Sequence, residues 1–308
     1  MKKICLIVFL ATSLMACAQT PQDTLTYKEI MDLAYRPAEE ITVDSLQRLN
    51  LVIPEGVENP PLLLWIGGGA WSFVNRHMEM NLARQLAKRG VAVASVGHLL
   101  SMGSFGDSTR THGVKHPAHI KDIAAAFHWL HQHGPQYGYD ANNIFVGGFS
   151  SGAHLAALLA MDEKYLKKYK LSNDDIRAII PIAGTYEIKA YYDVFANHES
   201  ARNRELARTH VMDVFGEDIE GFAEASPATY LDQLDIPMLL ISEGGLFEYT
   251  QLFEKMIWES EYRECQILHV LDKGHASLWR EMSFSDNSQT RNAVVDYIHL
   301  KKKVESSH

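Results

Sequence analysis

The chain has 308 residues, of which 46% are hydrophobic and 22% are charged, and its formal net charge is −9. This length suits one large α/β domain or two small ones, and the lack of internal repeats, low-complexity tracts and Gly/Ser linkers in the sequence favours one. An acidic chain without a basic stripe argues against a nucleic-acid partner.

The N-terminus has the form of an export signal. Two lysines precede the apolar run ICLIVFLATSLMA, which is too short to span a bilayer as a mature helix. The segment LMAC at residues 14–17 resembles a bacterial lipobox, which predicts a signal peptide over 1–16 and lipidation of Cys17. The alternative is cleavage by ordinary signal peptidase at ACA, residues 16–18. We therefore expect an exported protein, either soluble in the periplasm or held at the outer membrane or cell surface by a lipid anchor alone.

The three cysteines predict no disulfide framework. Cys5 leaves with the signal, Cys17 is lipidated or lost, and Cys265 then has no partner. Cys265 lies in an apolar stretch, where a core position is the expected role.

The body of the chain reads as alternating strands and helices. Residues 17–40 are predicted to be a polar lead-in with a short helix, followed by one domain over 41–301, in which the alternation from Ile41 to Ile53 suggests two strands. Helices are expected at about Arg76–Arg89 and Pro117–His133. Six apolar runs predict further strands: LLLWIG, VAVASVG, IFVGG, AIIPIAG, MLLIS and CQILHVL. Short apolar runs separated by helical segments are typical of a parallel sheet covered on both faces by helices.

The pentapeptide GFSSG at residues 148–152 fits the pattern G-x-S-x-G of a nucleophile elbow. The strand IFVGG runs into it and the helix HLAALLAM runs out of it, which is the context that the elbow requires. Gly148 and Gly152 would allow the tight turn, and the turn would raise the Ser150 hydroxyl above the sheet. The alternative is a glycine-bounded βα turn without chemistry.

His275 is the best candidate for a general base among 15 histidines. It directly follows the last strand, CQILHVL, and could accept the proton of Ser150 and return it to a leaving group. His154 on the elbow helix is expected to pack or cap, and His269 inside a strand is expected to be structural.

The glycine run GGGAW, which follows an early strand, is predicted to supply an oxyanion hole. We expect the backbone N–H groups of Gly69, Ala70 and Ser151 to be its donors. The alternative is a glycine-rich turn that provides flexibility alone.

These residues together resemble the α/β-hydrolase superfamily, and within it the esterase branch of hormone-sensitive-lipase-like, carbohydrate-esterase and kynurenine-formamidase-like enzymes. The resemblance covers roughly residues 40 to 300. It rests on GGGAW, HPAHIKDIAAAFHWLHQHGPQYGYDANNIFVGGFSSGAHLAALLA, EASPATYLDQLDIPMLLIS and KGHASLW. The resemblance implies an α/β-hydrolase fold with an eight-stranded, mostly parallel sheet, and hydrolysis through an acyl-enzyme on Ser150. It also implies that His275 is the base and that the amides of Gly69 and Ala70 bind the oxyanion.

The sequence departs from the family pattern at three places. The histidine that usually opens the glycine loop is replaced by Gly67, so the loop loses a side chain that normally braces it. The pair Tyr-Arg that usually ends the fourth strand is replaced by GHL at residues 97–99. Finally, an ungapped match places Gly245 or Leu246 where the family has its aspartate.

A glutamate could still serve as the acid that orients His275. Glu243 at the strand end and Glu248 at a helix start are equal candidates, with Glu187 after the preceding strand behind them. Geometry decides between them. For Glu248 there is also a simple alternative, since acidic residues favour the first turn of a helix.

Two further segments invite a functional interpretation. Six histidines lie between His112 and His133, but His128, His131 and His133 do not share one helix face, so a polar surface is favoured over a metal site. Residues 186–226 lie where hydrolases insert caps, and they either shape the substrate pocket or form a solvated insertion.

The sequence thus favours an exported serine hydrolase that cleaves a small or medium carboxylic ester and that needs neither a cofactor nor a metal. The resemblance and the export signal add an acyl group on a carbohydrate as one expected substrate. An amidase or peptidase on the same fold is one alternative. The other is a catalytically weak surface lipoprotein that binds a ligand in a hydrolase-like cleft. A carboxylate within reach of His275 Nδ1 would favour the enzyme.

Overall fold

The computed structural model describes residues 25–102, 111–245 and 247–303, and this part of the chain contains one eight-stranded sheet. Its strands are β1 (Tyr27–Ala34), β2 (Arg48–Pro54), β3 (Pro61–Ile66), β4 (Ala92–Val96), β5 (Asp140–Phe149), β6 (Ile179–Ile182), β7 (Met238–Glu243) and β8 (Cys265–Val270).

The strands lie in the order β1-β2-β4-β3-β5-β6-β7-β8. β2 pairs antiparallel with both β1 and β4, and every other neighbouring pair is parallel. Parallel strands bury both faces, which explains why the central strands appear in the sequence as continuous apolar runs. The predicted mostly parallel sheet is confirmed.

Eleven α-helices connect and cover the strands in the described part of the chain. They are α1 (Met80–Ala87), α2 (Ala118–Tyr137), α3 (Ser151–Met161), α4 (Lys164–Lys167), α5 (Ile188–Ala196), α6 (Ala201–Leu206), α7 (Asp213–Phe215), α8 (Phe222–Ala225), α9 (Phe247–Glu259), α10 (His275–Phe284) and α11 (Gln289–Lys301). Shorter turns are 3₁₀-helical at Ala38–Glu40, Asn173–Asp175 and Pro227–Gln233, and a π-helix spans Ala207–Met212.

Two hydrophobic cores lie on opposite faces of the sheet. Along β3, Leu62 and Leu64 point into one core, whereas Leu63 and Trp65 point into the other, as the two-residue period of a strand requires. The first core contains side chains of α2, α3 and α9, and the second contains those of α1, α10 and α11. Every residue of α3 is buried. The predicted coverage of both faces by helices is confirmed.

The N-terminal part differs from the prediction. The lead-in of residues 17–40 contains β1, which pairs with β2, so the sheet begins before the predicted boundary at residue 41. The alternation from Ile41 to Ile53 yields only one strand, β2, and the helical part of the lead-in is the 3₁₀ turn Ala38–Glu40. β1 is an edge strand with a register shift between Ile30 and Leu33, and its mixed exposure gives it a weak hydrophobic pattern.

The predicted signal peptide and Cys17 lie outside the described residues. Among the residues that are described, no helix has the length and apolar character needed to cross a membrane.

Candidate active site

Ser150 occupies a sharp turn between β5 and α3. Its φ of 57° and ψ of −120° are rarely adopted by a residue other than glycine, and its N–H donates to the Ile182 carbonyl at 2.9 Å. A Cβ at Gly152 would lie 2.0 Å from the Ile66 oxygen, and one at Gly148 would lie 2.5 Å from the Gly152 backbone. Both glycines are therefore required by close backbone contacts, and the turn has the form of a nucleophile elbow.

His275 and Glu243 meet at the carboxyl ends of the last two strands. His275 is the first residue of α10, just after β8, and its Nδ1 lies 3.1 Å from Glu243 Oε1. Glu243 is the last residue of β7 and is fully buried, and its second oxygen accepts from the N–H of Gly245. A proton on Nδ1 donated to Glu243 leaves Nε2 of His275 free to act as a base.

The two other acid candidates do not occupy this position. Glu248 is exposed in the first turn of α9. Glu187 caps α5, where it accepts from the N–H groups of Lys189 and Ala190. Of the three candidates, Glu243 is therefore the one that contacts His275, whereas Glu187 caps its helix.

Burial lowers the pKa of His275, and the nearby Glu243 carboxylate opposes this shift only in part. A base must be neutral to accept a proton. We therefore expect kcat/KM for a non-ionisable ester to rise with pH through an acidic limb whose midpoint lies below the ordinary histidine value of 6.5. Initial rates across the acidic range would test this, and re-assay at neutral pH after acid incubation would exclude unfolding. A limb centred above 6.5 would contradict it.

The glycine loop between β3 and α1 lies against Ser150. A Cβ on Gly68 would lie 3.1 Å from the Ser150 Cβ. Gly69, Ala70 and Trp71 have φ values of 150°, 49° and 56°. Three consecutive residues therefore have positive φ, which is unfavourable for any residue other than glycine. The loop is held by the Gly69 carbonyl, which accepts from the N–H groups of two later residues at 2.9 and 3.0 Å.

The three predicted oxyanion donors border the same cavity as Ser150 and His275. Ser151 is the first residue of α3, so its N–H has no partner within the helix. The elbow, the base and the glycine loop thus come together at one site, as the oxyanion assignment to Gly69, Ala70 and Ser151 requires.

The cavity has a volume of about 470 Å³ and a mainly apolar wall. Large apolar side chains and several polar groups contribute to the wall. The apolar members include Trp71, Phe73, Met78, Phe149 and Trp279, and the polar members include Asn75, Glu79, Thr185, Tyr191 and His210.

Residues 186–226 contribute directly to the cavity. Tyr191 comes from α5 and His210 from the π-helix Ala207–Met212; His210 Nε2 lies 2.5 Å from the Tyr191 hydroxyl. Burial lowers the pKa of His210 to about 4 and raises that of Tyr191, so both side chains are neutral at neutral pH. This segment therefore shapes the pocket, and we call residues 186–226 the cap segment.

Three residues that were expected to be structural are His154, His269 and Cys265. His154 is buried, with Nε2 at 2.7 Å from the Ala225 carbonyl at the end of the cap segment. His269 Nδ1 lies 2.6 Å from the Ser242 hydroxyl. Cys265 is half-buried at the start of β8, and burial raises the pKa of its thiol to about 12. None of these three borders the cavity.

The helix α2 histidines make aromatic contacts. His128 stacks on Tyr169 with ring centroids 4.6 Å apart, and His133 stacks on Trp129 at 4.1 Å. Across the described ranges, no group of three histidine, cysteine or acidic side chains is arranged to hold a metal ion.

Sequence reasoning did not single out several residues that line the cavity, among them Glu79, Tyr191, His210 and Trp279. Of these, only Trp279 lies in one of the motifs quoted above, KGHASLW. Trp279 alone had a usable signal, because it follows His275 by four residues and a helix places both on one face.

The chain is similar in sequence and in fold to known esterases. The BD-FAE family model matches residues 49–245. A probable carboxylic ester hydrolase, LipM, of Mycobacterium tuberculosis is 28% identical over 193 residues, which are 60% of this chain and 40% of that protein. Esterase B from Lactobacillus rhamnosis superposes with a TM-score of 0.73 at 19% identity, covering 91% of this chain and 86% of that one. A carbohydrate esterase from gut microbiota, solved in a truncated form, gives 0.69 at 18% identity, covering 91% and 97%.

The chain spans less than half the length of the curated relatives it matches. The two structural likenesses, both below 25% identity, establish the fold, and the family match covers more than half of the chain. The predicted resemblance is therefore confirmed: the chain belongs to the BD-FAE family, in the esterase branch of the α/β-hydrolase superfamily.

Proposed function

We propose that this protein is an exported serine carboxylesterase. The observation that carries the proposal is the 3.1 Å contact between His275 Nδ1 and the buried Glu243, at a cavity that also contains Ser150 and the glycine loop. An oriented histidine beside a serine on a strained turn is the arrangement that activates a hydroxyl nucleophile. The same contact favours an enzyme over a protein that only binds a ligand in a hydrolase-like cleft.

The proposed reaction has two steps, acylation of Ser150 and hydrolysis of the acyl-enzyme. Ser150 Oγ attacks the ester carbonyl carbon while His275 Nε2 takes the hydroxyl proton. The amides of Gly69, Ala70 and Ser151 stabilise the resulting oxyanion. The bond to the leaving alcohol then breaks, and His275 donates its proton to that alcohol. The acyl group remains on Ser150. Water then attacks the acyl carbon while His275 Nε2 takes a proton from it. The carboxylic acid is released as that proton returns to Ser150 Oγ.

The cavity favours small or medium acyl groups. Its volume of about 470 Å³ and apolar wall suit a short aliphatic or aromatic acyl chain better than a long one. A carbohydrate as the alcohol is supported by the fold's likeness to a carbohydrate esterase from gut microbiota. We therefore propose an acylated sugar as the substrate.

The test of the proposed function is covalent labelling with a fluorophosphonate. We expect intact-protein mass to show one adduct, with peptide mapping that places it on Ser150, followed by turnover of short acyl and aromatic acyl esters. Comparing the same acyl groups on a simple alcohol and on a sugar would separate the acyl preference from the alcohol preference. A folded protein that takes no adduct would refute the mechanism and leave ligand binding as the function.

Export and lipidation are proposed from the sequence, since the relevant residues lie outside the described ranges. We expect Cys17→Ala to abolish incorporation of an alkyne-labelled fatty acid when the full chain is expressed in a bacterium with lipoprotein processing. Cys265→Ala is the matched control and should label as the parent does. Unlabelled parent protein in the soluble periplasmic fraction would instead support ordinary signal-peptidase cleavage.

A further inference from the structure

Glu79 is a buried carboxylate that the proposed mechanism does not use. It immediately precedes α1, borders the cavity and has only 4% of its surface exposed. Placing a carboxylate there costs free energy unless hydrogen bonds compensate, so its contacts should reveal why it is present.

Its partners are the indole N–H groups of two tryptophans. Trp65 Nε1 donates to Oε2 at 2.8 Å, and Trp279 Nε1 lies 3.2 and 3.3 Å from the two oxygens. Burial raises the pKa of Glu79, and the two indole hydrogen bonds oppose that shift. One carboxylate therefore joins two parts of the molecule that are far apart in sequence.

Each tryptophan is attached to one part of the catalytic apparatus. Trp65 lies in β3, two residues before the glycine loop begins at Gly67. Trp279 lies in α10, one turn after His275 and on the same face of the helix. Movement of either element relative to the other would stretch a hydrogen bond to Glu79.

Glu79 also packs against the start of the glycine loop. A Cβ added at Gly67 would lie 3.0 Å from Glu79 Cγ and 3.0 Å from Oε1. The space that a side chain at position 67 would need is therefore already filled by the carboxylate. This contact explains why a loop without a side chain at Gly67 is still supported.

We infer that Glu79 is a positioning residue that fixes the oxyanion loop relative to the base helix through Trp65, Gly67 and Trp279. The inference rests on the proposed function. It assigns no contact with substrate to Glu79, so its removal should slow the reaction without weakening the binding of substrate.

The test is Glu79→Leu, which removes both acceptor oxygens. A glutamine would not be enough, because Glu79 Oε2 lies within hydrogen-bond distance of both indoles and a single oxygen there could still accept from both. We expect kcat to fall by on the order of 100-fold, because a small displacement of the loop from the base is enough to cause such a loss, with KM close to that of the parent. Trp279→Phe removes the same link from the other side, and we expect the double variant to lose no more than either single variant. Glu281→Leu, on the same helix as Trp279 but outside the cavity, is the control and should keep the parental kcat.

A second readout does not depend on activity. In ¹H–¹⁵N spectra, the indole N–H resonances of Trp65 and Trp279 should move in Glu79→Leu, whereas Glu281→Leu should leave them in place. The inference is overturned if kcat is unchanged, if KM alone rises, or if the two losses add fully in the double variant. Normal fluorophosphonate labelling of the parent with unchanged kcat in Glu79→Leu would overturn the inference alone. An unlabelled parent would instead overturn the proposed function, and unmoved indole resonances would still refute the contacts.

Discussion

Replacing Ser150 with alanine is expected to lower kcat for a carboxylic ester by about 10⁶-fold, the scale of loss seen when a hydrolase nucleophile is removed. The substitution deletes the only atom that forms the acyl-enzyme and leaves the elbow backbone in place. It should also relieve no strain, because alanine is as unfavourable as serine at a φ of 57°. The measurement is steady-state turnover with an activated ester, at enzyme concentrations high enough to detect residual rates.

Ser151→Ala is the matched control for this experiment. It removes a neighbouring hydroxyl that is buried and makes no hydrogen bond within the described structure, while retaining the backbone N–H at that position. Its loss of kcat should be far smaller than that of Ser150→Ala. If Ser150→Ala retained parental turnover, or if Ser151→Ala were the inactive variant, the assignment of the nucleophile would be wrong.

Glu243→Gln is expected to lower kcat by about 10⁴-fold, since an amide in place of the orienting carboxylate stabilises the wrong histidine tautomer. The residual activity should have a distinct pH dependence. The Glu243 carboxylate raises the pKa of His275, so its neutralisation should lower that pKa further and move the acidic limb of kcat/KM to lower pH. Complete pH profiles of parent and variant would measure both effects.

Glu248→Gln tests the same assignment from the opposite side. This residue was an equal candidate in the sequence, but it is exposed on α9. Its neutralisation should leave both kcat and the acidic limb unchanged. A large loss in Glu248→Gln with a mild effect in Glu243→Gln would show that the acid reaches His275 from the helix and not from the strand.

The sheet and the elbow were predictable because local patterns determine them. The strand β5 is a continuous apolar run, and the glycines around Ser150 have no alternative residue that the close contacts would accept. His275 was predictable because it follows the last strand of a parallel sheet, where the ends of strands converge. In contrast, β1 lacked a clear pattern because it is a half-exposed edge strand.

The acid and Glu79 required three-dimensional information. The choice between Glu243 and Glu248 depends on how the chain turns after β7. Glu243 contacts His275, whereas Glu248, five positions later, is exposed to solvent. Glu79 owes its importance to Trp65 and Trp279, which lie 14 and 200 residues away in sequence. No local pattern encodes a contact between elements separated by that distance.

The position of β8 at the edge of the sheet makes the site vulnerable to partial unfolding. Ser150 directly follows the central strand β5. In contrast, His275 follows β8, whose residues are half-buried or exposed, and the buried Glu243 lies on the adjacent strand. Edge elements open with less free energy than the centre of a fold. Detachment of β8 would separate His275 from Glu243 while most of the domain remained folded. We therefore expect heat inactivation to report the stability of this edge strand and to occur at a lower temperature than global melting.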